Sequence, residues 1–74
     1  LTQQLAPRAA RGEHDHGFAI KGLVLEGLFT VIQNGERHPC GPGQAFFVAQ
    51  GDPHDEEIGP DGARVLIGRK HPAA

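Results

Sequence analysis

Gly12-Glu13-His14-Asp15-His16-Gly17-Phe18-Ala19-Ile20-Lys21-Gly22-Leu23-Val24-Leu25-Glu26-Gly27 is the stretch on which the reading of this sequence turns. It carries two histidines separated by one residue, followed by an apolar, β-prone run that stops at a glycine. On an extended strand, side chains at i and i+2 leave from the same face, so His14 and His16 point one way and Asp15 the other. Their Cα atoms then lie about 6–7 Å apart, at a rise of about 3.3 Å per residue. That brings two ring nitrogens within reach of one ion. Such a pair needs a third ligand from elsewhere in the chain, and His54 is the best candidate.

Working outward, the 74 residues allow one domain, spanning 1–74, with one modest core. A chain of this size buries only about 60% of its unfolded surface, so it gains from a staple or a partner. The single cysteine, Cys40, excludes an intrachain disulfide framework and points to a reducing compartment, the cytoplasm. A net charge of -2, a pI near 6.2 and the lack of any Lys/Arg cluster argue against nucleic acid as a partner. The longest apolar run, Gly22 to Ile32, is interrupted by Glu26 and is too short to span a bilayer. No basic leader precedes an apolar stretch. The chain opens at Leu1 without methionine, as a piece lacking its natural N-terminus would.

Helix signals are nearly absent. Eleven glycines and six prolines punctuate the chain at the spacing of short strands in a sandwich or barrel. Strands are expected at Leu1 to Leu5, Glu13 to Gly17, Ile20 to Leu25, Leu28 to Gln33, Glu36 to Cys40, Ala45 to Ala49, His54 to Ile58 and Ala63 to Arg69. The turns between them are Gly41-Pro42-Gly43, Gly51-Asp52-Pro53 and Gly59-Pro60-Asp61-Gly62, and His71 to Ala74 reads as a frayed tail. The expected fold class is all-β, an antiparallel barrel of about eight short strands.

Asn34-Gly35 is the strongest hairpin signal in the chain. A two-residue turn there pairs Gln33 with Glu36, Val31 with His38 and Phe29 with Cys40. Phe29 and Val31 then share one face, while Leu28, Thr30 and Ile32 share the other. Both faces carry bulky apolar residues, which predicts cover on both sides. A homodimer that covers Leu28 and Ile32 would supply it.

These residues resemble a small single-domain cupin of the cupin-2 type. The first cupin motif reads Gly, five residues, His-x-His, three or four residues, Glu, six residues, Gly. His14, His16 and Gly27 fall in register, with Arg8 in the first glycine position and Ile20 in the glutamate slot. The second motif reads Gly, five residues, Pro-x-Gly, two residues, His, three residues, Asn. Gly43, Gly51 and His54 match it, with Ala49 in place of proline and Ile58 in place of asparagine. Leu23 to Gly27, Gly41 to Phe47 and Gly59 to Arg69 also read as cupin strands and turns, so the resemblance covers nearly the whole chain. It implies a jelly-roll barrel holding a metal between two histidines, a glutamate and a final histidine. Lys21, the glutamate slot under the longer spacing, does not coordinate while charged.

Three histidines remain a competent donor set. Neutral imidazole suits zinc, copper, iron and nickel, and three protein ligands plus water is the pattern of a catalytic zinc site. The cofactor expected is a divalent ion: zinc, iron, nickel or manganese. Without the glutamate, the ion's full charge favours an anionic small molecule at the open position. Glu56, two residues past His54, faces the same way on a regular strand and is a further candidate ligand, although Asp55-Glu56-Glu57 reads more simply as a solvated edge. Glu13 and Asp15 alternate away from the histidines, and Glu26 lies near a strand end. His38 and Cys40 share a face, which a thiolate–imidazole pair would need, but Cys40 fits more simply as a small core residue. Two functions follow. One is a metal-binding cupin with a small-molecule pocket, acting as an enzyme on a small anion. The other is a non-catalytic module that senses a ligand or metal within a regulatory system.

Overall fold

The computed structural model describes residues 2–70; Leu1 and residues 71–74, with His71 and its expected tail, lie outside the described residues. Five strands form: β1 (Thr2–Leu5), β2 (Ala19–Gln33), β3 (Glu36–Cys40), β4 (Ala45–Val48) and β5 (Asp55–Lys70). They belong to one antiparallel sheet in the order β1-β5-β2-β3. β4 pairs with the first part of β2, from Ile20 to Leu23, and β3 with its end, from Phe29 to Gln33. The hairpin register is the expected one, and Asn34 and Gly35 both take positive φ, 52° and 76°, as a type I′ turn requires.

The all-β class stands, but strands are fewer and longer than expected. Gly27 and the Gly59–Gly62 segment do not end their strands; β2 and β5 run through them, paired from Ala19↔Lys70 to Ile32↔Asp55. The ladder instead slips register between Val24 and Glu26 and again between Gly27 and Phe29. Such bulges bend a strand without breaking it. Gly27 has φ +83°, and a Cβ built there would stand 2.0 Å from the carbonyl oxygen of Gly62, across the ladder. A glycine that looks like punctuation in the sequence is therefore a corner, admitting the opposite backbone.

The corner turns the sheet's inner face on itself. Phe29, beyond the bend of β2, stacks on Phe46 of β4 with ring centroids 4.6 Å apart. Val24, Phe29, Val31, Cys40, Val48, Ile58, Ala63 and Val65 are buried around them. Each larger apolar side chain there contributes about 1.5–3 kcal/mol.

The expected Glu13–Gly17 strand is not regular. Residues 8–14 follow the edge of β5 through only two bridges, Arg8↔Ile58 and His14↔His54. Asp55 explains the interruption. Its buried carboxylate accepts hydrogen bonds from Arg11 N (3.2 Å), Gly12 N (2.8 Å) and Glu56 N (2.8 Å). Donors that would have reached sheet carbonyls are thus satisfied by a side chain. The hydrogen bond from Gly12 N, with those from Glu56 N and Arg11 N and the nearby His14, holds the Asp55 carboxyl below the usual aspartate range, against the opposing effect of burial.

Two outcomes follow. Gly27→Ala destabilises the domain by about 2–3 kcal/mol, lowering Tm by about 4–8 °C per kcal/mol; an unchanged melt followed by circular dichroism would contradict the corner. For Asp55, a carboxyl depressed in the folded state gives stability that is full above the unfolded pKa and is lost as pH falls through the folded one. Denaturant midpoints measured at neutral pH and below about pH 4 should therefore fall more in the parent than in Asp55→Asn. Equal acid losses in the two proteins would contradict the assignment.

Candidate metal and ligand site

His14 and His54 are brought together by backbone. His14 N donates to His54 O and His54 N to His14 O, both at 2.9 Å. This reciprocal pair sets the two residues opposite each other on antiparallel segments, with side chains on one face. His16 is two residues on, and its carbonyl accepts from Gly51 N at 3.0 Å, which fixes the far end of the segment. The three rings follow, with centroids 4.4 Å apart for His14 and His54, 5.0 Å for His14 and His16, and 5.2 Å for His16 and His54.

One nitrogen from each ring lies within 4.8 Å of the other two. Two imidazoles on one zinc, at about 2.0–2.1 Å each, stand no more than about 4.2 Å apart. The donor set therefore fits a first-row divalent ion with side-chain adjustments below an ångström. His54 is 1% exposed, and its Nδ1 lies 3.4 Å from the carbonyl oxygen of Asp52. A proton on Nδ1 directed at that carbonyl leaves Nε2 with its lone pair for an ion. Burial, followed by the neighbouring His14 and His54 and by Arg69, lowers the pKa of His16, with Glu56 opposing. The net lowering favours the neutral, ligating form of the ring.

The other acidic candidates part company. Asp55-Glu56-Glu57 is not a solvated edge: Asp55 is buried, Glu57 pairs with Arg37, and Glu56 is half-buried. Glu56 Oε1 lies 3.8 Å from His14 Nε2 and 3.5 Å from Arg8 Nη2. It stands beside the cluster, held by an arginine. Ile20, in the glutamate slot, lines the same cavity as His16 and His54, whereas Lys21 is on the exposed face. Glu13, Asp15 and Glu26 are exposed, and Glu26 pairs with Arg64. Cys40 is buried, which raises its thiol pKa, and His38 is exposed beside Glu36. They do not form a thiolate–imidazole pair.

The cluster opens on a cavity of about 320 Å³ whose walls include His16, His54 and Glu56. Three sets of contacts around the cluster were missed in the sequence. Phe18 stacks on His16 at 5.0 Å with an interplanar angle of 21°, and Arg69 lies 5.4 Å over the Phe18 ring. The i+2 spacing from His16 to Phe18 carried that signal. Arg8 and Arg11 also reach the wall, from a segment with no sequence periodicity to mark it. The third is the Asp55 latch, hidden in an acidic run.

Residues 3–67 match the AraC-like ligand-binding domain family. A comparison with curated proteins found no match. Among solved structures, the chain is similar to a protein of unknown function from Streptococcus pyogenes, at 20% identity and a TM-score of 0.83, over 99% of this chain and 63% of that one. It is also similar to the cupin-2 domain of an XRE-family transcriptional regulator from Enterobacter cloacae, at 22% identity and a TM-score of 0.76, over 97% and 79%. A predicted oxalate decarboxylase from Thermotoga maritima matches at 25% identity and a TM-score of 0.77, over 96% and 64%. The chain thus spans less than two thirds of the S. pyogenes and T. maritima proteins. Fold, motif spacing and family match agree: the chain belongs to the AraC-like ligand-binding domain family and has the fold of a single cupin-2 domain.

Proposed function

We propose that this domain binds a divalent metal ion through His14, His16 and His54 and presents it to a small anionic or oxygen-donor molecule in the adjoining cavity. The observation that carries the reading is the convergence of three ring nitrogens to within 4.8 Å, from two chain segments about 40 residues apart. Zinc, iron, nickel and manganese all fall within the reading. Such an ion supplies Lewis acidity at a position the protein leaves open. Glu56 sits close enough to serve as an outer partner or an added ligand. In an enzyme the same arrangement would act on a small anionic substrate.

The second reading is a non-catalytic sensing module of a regulatory system. The match to a family of ligand-binding domains, and the likeness to a domain of a transcriptional regulator, favour it. Turnover that needs metal and disappears in His54→Ala marks the enzyme. Stabilisation by ligand without turnover marks the sensor. The reading further includes a cytoplasmic location, no nucleic-acid or membrane contact by this domain, and a homodimer. Among the described residues no helix is long and apolar enough to cross a membrane. Leu28, 40% exposed, offers a partner apolar contact, while Thr30 on the same face is buried within the chain and Ile32 is half-buried.

Zinc titrated into chelator-treated protein should bind at about one equivalent per chain and weaken at least about tenfold in His14→Ala, a half-exposed position that spares the core. Less than about a tenth of an equivalent would contradict the site. Because imidazoles must be neutral to coordinate, affinity should drop between about pH 7.5 and 5; a flat profile would exclude histidine ligation. For the dimer, light scattering at micromolar concentration should give twice the chain mass, with Leu28→Asp shifting it to monomer. A monodisperse monomer in the parent protein would end that part of the reading.

A further inference from the structure

The chain is acidic overall, with nine Asp and Glu against seven Lys and Arg. Its cavity is the reverse. Arg8, Arg11 and Arg69 line it, against one carboxylate, Glu56. Elsewhere the arginines are neutralised on the surface, Arg37 by Glu57 and Arg64 by Glu26. Glu56 is engaged by Arg8, and among the described residues neither Arg11 nor Arg69 has a carboxylate ion-pair partner. Gathering three cations around one cavity opposes folding unless solvent or a bound anion offsets their repulsion. The surplus is independent of any metal, and a bound divalent ion would add to it.

Most of the rest of the wall, apart from Gln3, His16 and His54, is hydrocarbon. Phe29, Phe46, Val48, Ile58 and Ile67 face the same space, with Phe29 and Phe46 stacked on each other. A compact inorganic anion would use the arginines and waste these walls, and a purely apolar molecule would do the opposite. Guanidinium groups match the planar two-oxygen face of a carboxylate, and Arg69 lies over the Phe18 ring. We infer that the cavity selects a small carboxylate with an apolar body, its charge met by Arg11 and Arg69 together with Arg8. The inference rests on the small-anion reading proposed above and adds the chemistry of the molecule.

The test uses the full chain, with hexanoate and benzoate as probes and 1-hexanol and hexyl phosphate as comparators, followed by calorimetry and thermal shift. Zinc titration is run in parallel. Hexanoate or benzoate should bind saturably to chelator-treated protein and at least tenfold more tightly than 1-hexanol. Arg11→Gln and Arg69→Gln should each weaken it at least fivefold. Both residues are exposed, so circular dichroism of the variants should match the parent, and Arg8 is left in place because it holds Glu56. Equal affinity for 1-hexanol, tighter binding of hexyl phosphate, or an Arg11→Gln/Arg69→Gln double variant that binds like the parent would overturn the inference. So would the absence of binding by both carboxylates up to about 10 mM. Zinc bound without a carboxylate overturns this inference and leaves the metal site standing. Carboxylate bound without zinc supports the inference and removes the metal from the reading.

Discussion

Two backbone hydrogen bonds of 2.9 Å tie His14 to His54, and the chemistry available to this domain depends on them. Side-chain clusters built from remote parts of a chain are only as well placed as the backbone beneath them. Here the reciprocal pair fixes both residues on one face, and the carbonyl of His16 is held by Gly51 N at 3.0 Å. Asp55, next to His54, closes the arrangement from the other side by gathering the amides of Arg11 and Gly12. The irregular segment carrying two of the histidines is thus fastened at three places, to Gly51, His54 and Asp55, along the approach to β5 and its first residue. An ion arriving there would meet rings already gathered, at little cost in conformational entropy.

The second structural requirement is the corner. β2 and β5 run 15 and 16 residues each, long enough to lie flat if nothing bent them. Two register slips and the close approach of Gly27 to Gly62 fold the ladder, so that Phe29 meets Phe46 across the interior. Without that fold the cavity beside the histidines would be an open sheet face. Gly27, the last glycine of the motif that carries His14 and His16, thus shapes the cavity beside a cluster to which it contributes no side chain.

What was legible in the sequence follows the same physics. Strand alternation correctly placed His14 and His16 on one face because i, i+2 parity survives even where only isolated bridges form. The Asn34-Gly35 turn gave the hairpin register residue by residue, since two consecutive positive φ values leave few alternatives. The reading failed where one residue type serves two purposes. Gly27, Gly59 and Gly62 read as strand ends because glycine punctuates far more often than it bends. Asp55 and Glu56 read as solvated because local charge density says nothing about partners about 45 residues away. The arginines of the cavity wall carry no local signature at all.

The central claim is that three imidazoles share one ion. Its most direct test is anomalous diffraction from crystals of zinc-soaked protein, recorded on both sides of the zinc absorption edge. One strong peak per chain is expected, about 2.0–2.1 Å from a nitrogen of each of His14, His16 and His54. A peak elsewhere, or rings turned away from a common point with no peak between them, would contradict it.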